Sequence, residues 1–501
     1  DVYKRQVYMH FPVLAIMVLF VGAFLVTLAG KREKLRNVIA GVAVLAALTL
    51  LALLIKPVMI GGETIVYWMG NWEPPLGIEF VIDPLSAVMA VLITFISLMV
   101  AVYSKPFMRK EDWLHIGGYY TLYGLLTVGL CGMVITGDMF NLYVYLEVMS
   151  LSGYGLIAMG GKKSMLAAFR YMLIGTIGAS LYLISVAYLY AMTGTLNMAD
   201  LGERIMPYLS SPPFALAVAC LFIGFGIKMA LFPLHGWQPD AYNFAHPGSA
   251  AFIAGVMSKV PAYAIIRFFF YIFGVNNPII STALTVLGIL GIGGVLIGSI
   301  MALAQYDFRR MLAYSSVAQI GYIAIGLAIG NMYGFIGAVL HIINHAFMKS
   351  ALFLVIGGIQ YRFGEINLYR LGGLNKKMTL STITVTLAAL SMVGIPPTAG
   401  FFSKWYLMLG AYQGGQYFYI VILVISSLLN AVYFFRILEQ MFVQHEASLT
   451  EINRHEGKLG LPPEMAIPIL CAGIGILVLG FYSVDIVDDI LKSGLPEVFL
   501  R

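Results

Sequence analysis

Long apolar runs separated by short polar loops fill this chain from end to end. A bilayer is spanned by about 20 largely apolar residues. On that measure some fourteen helices are predicted, centred near residues 20, 46, 91, 125, 148, 178, 222, 260, 291, 321, 345, 395, 427 and 475. Two runs break the apolar pattern with a charge. Lys228 interrupts the stretch from Phe214 to Phe232, and Lys404 interrupts that from Leu380 to Tyr412. Phe232-Pro233 follows the first lysine, and Gly394-Ile395-Pro396-Pro397 precedes the second. A charge at helix centre costs roughly 2.5–3.5 kcal/mol on insertion scales. Proline inside such a helix frees carbonyls that protein or trapped water must satisfy. The seventh and twelfth helices are therefore predicted to be discontinuous. Broken helices with buried charge point to ion or proton movement through the bilayer.

Composition settles the class. Of 501 residues, 60% are hydrophobic and 11% charged, against about 25% charged in a soluble domain. The expected fold is an all-α polytopic membrane protein of about 14 transmembrane helices, without an appreciable soluble domain. Cys131, Cys220 and Cys471 lie in apolar stretches without paired spacing, so they suggest packing rather than a disulfide framework or metal site. No cofactor is expected.

The net charge of +6 matters through its placement. Basic clusters follow the odd-numbered helices: Lys31 to Arg36, Lys105 to Lys110, Lys162-Lys163, Arg309-Arg310, and Arg362 with Arg370, Lys376 and Lys377. Loops after even-numbered helices are neutral or acidic. Because Lys and Arg mark cytoplasmic loops, both termini are expected on the non-cytoplasmic side of a prokaryotic inner membrane. Lys4 and Arg5 dissent, and residues 1–6 read as translated adapter sequence rather than native protein.

The two breaks lie five helices apart, so equivalent helices enter from opposite sides. That offset predicts two inverted five-helix repeats. The expected division is three leading helices in 1–112, a first repeat in 113–273 and a second in 279–440. Residues 441–501 then supply a polar cytoplasmic loop, 441–464, and the last helix.

Several polar residues sit where lipid or protein must surround them. Glu147 lies well inside the fifth helix, and a desolvated carboxylate either takes up a proton or pairs with a cation. Lys228 is the natural partner, in a switchable pair or a static one. Lys259 is ten residues beyond Ser249 in the eighth helix, about 15 Å at 1.5 Å per residue, hence near mid-membrane. His341, His345 and Lys349 share one face of the eleventh helix at i, i+4 and i+8, with Asn344 beside them. A His-x-x-x-His pair can bind metal, and packed histidines are the plain alternative. No nearby carboxylate or cysteine completes a ligand set, and Lys349 repels a cation, so a proton relay suits the row better. His235 and Asp240 either guard an ion entrance or cap helix ends. Asp83-Pro84 reads as an N-cap followed by proline at the first helical position. Arg170, Arg267 and Arg436 read as interfacial anchors, with Arg170 also a candidate relay member. Asp307-Phe308-Arg309-Arg310 reads as a solvated turn.

These residues resemble the antiporter-like subunits shared by respiratory complex I, Mrp-type cation/proton antiporters and energy-converting membrane hydrogenases. The resemblance covers nearly the whole chain. It rests on Asp83-Pro84-Leu85-Ser86, on Thr136 to Leu142 with Glu147, and on Phe225-Gly226-Ile227-Lys228 with Pro233-Leu234-His235. Leu312 to Tyr322, and Gly394-Ile395-Pro396-Pro397 with Gly400-Phe401, complete it. The Gly137-Asp138-Met139-Phe140-Asn141 stretch looks most like the D-type Mrp subunit and its hydrogenase counterparts. The stretch Asp240 to Gly248 departs from the Ala-Pro-Pro-Thr-Pro that many relatives carry. The resemblance implies Glu147 as the fifth-helix glutamate, Lys228 as the seventh-helix lysine and Lys259 as the bridging lysine. His341 and His345 match the eleventh-helix histidines, and Lys404 the terminal lysine.

The expected function is proton translocation by one subunit of a larger membrane complex, of the cation/proton antiport type, with protons and sodium as the candidate ions. A proton-pumping subunit of a hydrogenase or quinone oxidoreductase is the alternative. Moving one charge against about 100 mV requires about 2.3 kcal/mol, which under two pKa units supplies. No nucleotide-binding glycine loop or Fe–S cysteine set is present, so the driving reaction must come from partner subunits. A stand-alone solute transporter and a metal-dependent membrane enzyme stay open as other classes.

Overall fold

The computed structural model describes residues 7–109, 111–364, 366–444 and 460–499. The expected polar loop falls largely on 445–459, so it and residues 1–6 lie outside the described residues. Helices α1 (Phe11–Leu28) and α2 (Glu33–Leu53) lead to an antiparallel hairpin, β1 (Ile65–Trp68) and β2 (Glu79–Ile82), with Ile65 opposite Ile82. Then follow α3 (Pro84–Tyr103), α4 (Trp113–Ile135), α5 (Met139–Ala158), α6 (Lys162–Thr193) and α7 (Pro212–Met229). The span α8 (Pro247–Ile272) contains π-helical turns at Ile253–Met257 and Arg267–Ile272. Beyond it lie α9 (Pro278–Leu303), α10 (Phe308–Ile329), α11 (Met332–Phe363), α12 (Thr379–Val393), α13 (Ala399–Gln413), α14 (Tyr417–Phe442) and α15 (Pro463–Phe481).

Among the described residues, twelve helices are long and apolar enough to cross a bilayer, so this is a polytopic helical membrane protein. Helix α5 is not among them, since it carries Asn141, Glu147 and several serines and tyrosines. Nor are α12 and α13, at 15 residues each. All three still pack inside the bundle, α5 against α4 and α6, and α12 and α13 against α11.

Both predicted breaks are present. Helix α7 stops at Ala230, which adopts a left-handed conformation (φ 61°), and the chain turns before a short helix, Gln238–Phe244. Helix α12 stops at Gly394 (φ 93°), before Pro396-Pro397 and the start of α13. A left-handed glycine at a helix end is unstrained, whereas alanine there is not. The freed carbonyls find partners: Leu231 N–H donates to Gly226 O, and Trp237 Nε1 donates to Ile227 O at 2.9 Å.

The chain also ties itself together twice in the same way. Asp138 caps α5 by accepting from Asn141 N–H, and the strand-like bridge Asp138–Asn197 is closed by Met139 N to Leu196 O and Met198 N to Gly137 O. Asp307 caps α10 through Arg310 N–H, and the bridge Asp307–Asn367 is closed by Phe308 N to Ile366 O and Leu368 N to Tyr306 O. The packing repeats too, α4 with α5 as α9 with α10, and α5 with α6 as α10 with α11. Close helix approach relies on small residues. A β-carbon on Gly321 would lie 2.6 Å from Gly291 O and 2.8 Å from Val295 N.

Two expectations are corrected here. Arg309 is not in a solvated turn but buried, donating to Tyr242 O, Ala245 O and Gln360 Oε1. The carbonyls exposed by the irregular segment after α7 need a donor, and the guanidinium at the start of α10 supplies it. Arg267 is not an interfacial anchor: its guanidinium grips Asp83 with both Nη atoms. Asp83 remains the cap of α3, accepting from Ser86 N–H at 2.9 Å, and the arginine beside it holds its carboxyl below the usual range despite burial. Arg436, within α14, reaches the end of α9 and donates to Leu303 O and Gln305 O.

Candidate functional site

Lys228 lies one residue before the last of α7, so the break holds its side chain against α5 and α6. It is 1% exposed. Its ammonium donates to Ser150 Oγ (2.6 Å) and Tyr154 OH (3.0 Å) and lies over the rings of Tyr154 and Tyr171. Tyr171 in turn stacks on Trp237 at 3.7 Å, the residue bonded back to Ile227. Glu147 shares the α5 face of Ser150 and Tyr154 at i+3 and i+7, but it is only partly buried. No ion pair joins it to Lys228 among the described residues. The expected direct pair is thus replaced by two neutral hydroxyls, with the carboxylate one turn away.

Lys259 is wholly buried in α8 and donates to Ala254 O, a carbonyl of the wide turn before it. A π-helical turn leaves carbonyls out of register with the donors that follow, which explains how this amine is held without a side-chain partner among the described residues. Helix α8 packs directly on α11. Their contact is close at Gly255, where a β-carbon would lie 2.3 Å from Ser350 Oγ.

The predicted row on α11 is intact and buried. Lys349 donates to Leu312 O (2.7 Å) and to Ser315 Oγ on α10. The rings of His345 and His341 lie parallel, 5.9 Å apart. Among the described residues neither nitrogen of His345 meets a protein partner, nor does Asn344 Oδ1. His341 Nε2 faces Gln319 Oε1 at 2.9 Å, and its Nδ1 faces Ser403 Oγ at 2.9 Å. Ser403 Oγ is also 3.1 Å from Gly400 O. The neutral ring can accept the serine proton at Nδ1; the charged ring donates there while the hydroxyl turns to Gly400 O. His341 therefore keeps partners in both protonation states.

Lys404, next to Ser403, ends the row. It donates to Met392 O (2.9 Å), Val393 O (3.0 Å) and Ser427 Oγ (3.0 Å), and lies 4.8 Å from the Tyr322 ring centre. Two of its acceptors are the last carbonyls of α12, which the break has freed. A cation near helix C-terminal carbonyls is favoured by their partial negative charge.

The structure thus joins His341, His345, Lys349 and Lys404 in one buried stretch, with Lys259 on the helix packed beside it and Lys228 apart from it on α7. Among the described residues, none of the four buried lysines forms an ion pair with a carboxylate, and no group of three or more His, Cys, Asp or Glu side chains is placed to hold a metal ion. Sequence reasoning missed Ser150, Tyr154, Gln319 and Ser403. A signal existed: Ser150 and Tyr154 repeat the helical spacing from Glu147, as Gln319 does from Ser315. Asp240 pairs with Arg170 at 3.1 Å and approaches Arg310 at 3.7 Å, so it bridges α6 and α10 rather than capping a helix. His235 lies against the Phe232 ring.

The sequence profile described as "NADH:quinone oxidoreductase/Mrp antiporter, TM" matches residues 136–430, and that of "NADH-Ubiquinone oxidoreductase (complex I), chain 5 N-terminus" matches residues 68–115. The chain is 44% identical to the N subunit of the NADH-quinone oxidoreductase of Desulforudis audaxviator, over 97% of this chain and 99% of that one. It is 33% identical to the D subunit of the Na(+)/H(+) antiporter of Alkalihalophilus pseudofirmus, over 98% of each. Its fold matches a chain of the membrane-bound sulfane sulfur reductase, an archaeal respiratory membrane complex, with a TM-score of 0.89, 28% identity and 98% of both chains covered. Family profile, full-length relatives and fold agree. The chain belongs to the NADH:quinone oxidoreductase/Mrp antiporter family and is an antiporter-like membrane subunit of a multisubunit complex.

Proposed function

We propose that this subunit carries protons between Lys228, Lys259, Lys349, His345, His341 and Lys404. The observation that carries the reading is the state of the four buried lysines: among the described residues each is held by hydroxyls or carbonyls and none by a carboxylate. An amine so held can gain or lose a proton without breaking an ion pair. A lysine kept for structure would be expected to have a counter-ion, because an uncompensated buried charge is costly. Glu147 acts on Lys228 from one turn away, through the Ser150 and Tyr154 contacts, and loss of its charge disfavours the cationic lysine.

The twin ties at Asp138–Asn197 and Asp307–Asn367 support two equivalent halves, 113–273 and 279–440, in opposite orientation, with three leading helices before them and 441–501 after. Charge placement supports both termini facing away from the cytoplasm of a prokaryotic inner membrane. Cation/proton antiport is the reading favoured by the likeness to the Na(+)/H(+) antiporter relative. The likeness to the NADH-quinone oxidoreductase relative favours a second, in which redox partners drive the same relay.

In membrane vesicles carrying the assembled complex, Lys228→Ala is expected to abolish proton transport while the complex still assembles. Intact transport in that variant would sink the proposal. Comparing transport driven by a sodium gradient with transport driven by an electron donor separates the two energy sources.

A further inference from the structure

Helix α14 is mostly apolar, yet it turns Ser426, Asn430 and Tyr433 inward, with Ser427 half-buried beside them. It packs on both α12 and α13, and so lies beside the break between them. The Lys404 ammonium has three N–H bonds and three acceptors around it: Met392 O, Val393 O and Ser427 Oγ. These acceptors differ in what they can do next. A backbone carbonyl only accepts, whereas a hydroxyl accepts or donates. Met392 O is also held by Asn430 Nδ2 at 3.3 Å, and the Asn430 oxygen by Tyr433 OH at 2.5 Å, so that side of the ammonium is fixed.

Ser427 differs from the serines that hold Lys228 and Lys349. Ser150 donates to Leu146 O (2.6 Å) and Ser315 to Leu312 O (3.0 Å), each committing its proton to its own helix. Serine within a helix commonly bonds back in this way. Among the described residues the Ser427 hydroxyl donates to no backbone carbonyl; its partners are Lys404 Nζ at 3.0 Å and Tyr322 OH at 3.5 Å. Its proton is free to turn.

We infer that Ser427 is the port through which Lys404 gains and loses its proton. An amine left at Lys404 keeps two N–H bonds, enough for the two carbonyls, and gains a lone pair. Of its three partners only Ser427 can meet that lone pair with an O–H. The 3.0 Å separation is within proton-transfer reach. In the step, an N–H bond of the ammonium breaks as an O–H bond forms on Ser427 Oγ. The hydroxyl's former proton passes to a water molecule beside Tyr322, which becomes hydronium, and no electron moves. The new O–H already points at the amine, so uptake is the same step reversed.

The inference rests on the relay proposed above and is tested separately from it. Valine and threonine are alike in size and differ in the hydroxyl, so Ser427→Val and Ser427→Thr separate proton transfer from packing. In vesicles carrying the whole complex, Ser427→Val is expected to lower proton transport at least about tenfold. Ser427→Thr is expected to restore more than half of it. Transport at the parent rate in Ser427→Val, or equal losses in the two variants, overturns the inference. Should Ser427→Val fail to assemble, Ser427→Ala takes its place. If Lys228→Ala leaves transport intact, the relay fails whatever Ser427 does. If Lys228→Ala abolishes transport while Ser427→Val runs at the parent rate, only the port fails.

Discussion

Gly175 on α6 shows how tightly the first lysine is held. A β-carbon there would lie 2.1 Å from Tyr154 OH and 3.3 Å from Lys228 Nζ. Gly175→Ala should push Tyr154 off the ammonium, cutting proton transport several-fold while costing about 1–3 kcal/mol through overpacking. Transport and thermal unfolding on one preparation check both, and unchanged transport would count against the site. A second residue-scale prediction concerns His246, before α8. Burial, with the nearby charges of Arg309 and His115, holds it down to about 4 from 6.5. It accepts from Gly248 N–H as a neutral ring. The unfolded chain binds that proton below about pH 6.5 and the folded chain resists to about 4, so stability is full above 6.5 and falls as pH drops through that window. His246→Asn keeps a capping acceptor and should flatten this part of the stability curve. Melting temperatures of both proteins between about pH 7 and 4 test the difference. The partners of His246 were not legible in sequence, and those of Lys228 showed only as a helical spacing from Glu147. Glu147 and Lys228 drew attention by their charge, but the contacts fell to Ser150 and Tyr154, because burial rewards hydroxyls that need no counter-charge.

At the scale of elements, the glycines divide by what they touch. Gly321 faces backbone atoms of α9 that cannot yield, so Gly321→Ala is expected to lower stability by about 1–3 kcal/mol or to block assembly. Gly41 on α2 has nothing within 4 Å of the added carbon, and Gly41→Ala should stabilise by up to about 1 kcal/mol through helix propensity. Equal losses at both positions, measured by detergent-solubilised yield and unfolding, would refute this division. The breaks were readable in advance because proline and glycine punctuate helices for local reasons. Arg309 was not. Its neighbours Asp307 and Arg310 do look solvated, and acceptors distant in sequence, the carbonyls of Tyr242 and Ala245 and the Gln360 side chain, turn one arginine inward.

Across the whole molecule, the contacts of α6 and α8 with α10 and α11 differ in kind. On one face Asp240 joins α6 to α10 through Arg170 and Arg310, whose side chains are 59% and 41% exposed. Such pairs contribute only about 0–1 kcal/mol, so Asp240→Asn should leave the melting temperature nearly unchanged; a large drop would show that α6 and α10 lean on this bridge. Inside, α8 rests on α11 with Gly255 against Ser350, whose hydroxyl donates to Ala251 O at 3.4 Å, a contact with little room. The helical class and the polar row were legible because lipid allows charge in so few places. The pairing of α8 with α11 depends on tertiary packing that no local pattern encodes.

The twin ties have a consequence for synthesis. The first joins Gly137 to Met198 and the second Tyr306 to Leu368, each closing once two helices have followed the capped aspartate. A chain threading from the ribosome can therefore lock α5 and α6 while the later helices are still being made, since folding during synthesis starts from the N-terminal side. The order of locking is written into where the two asparagines fall.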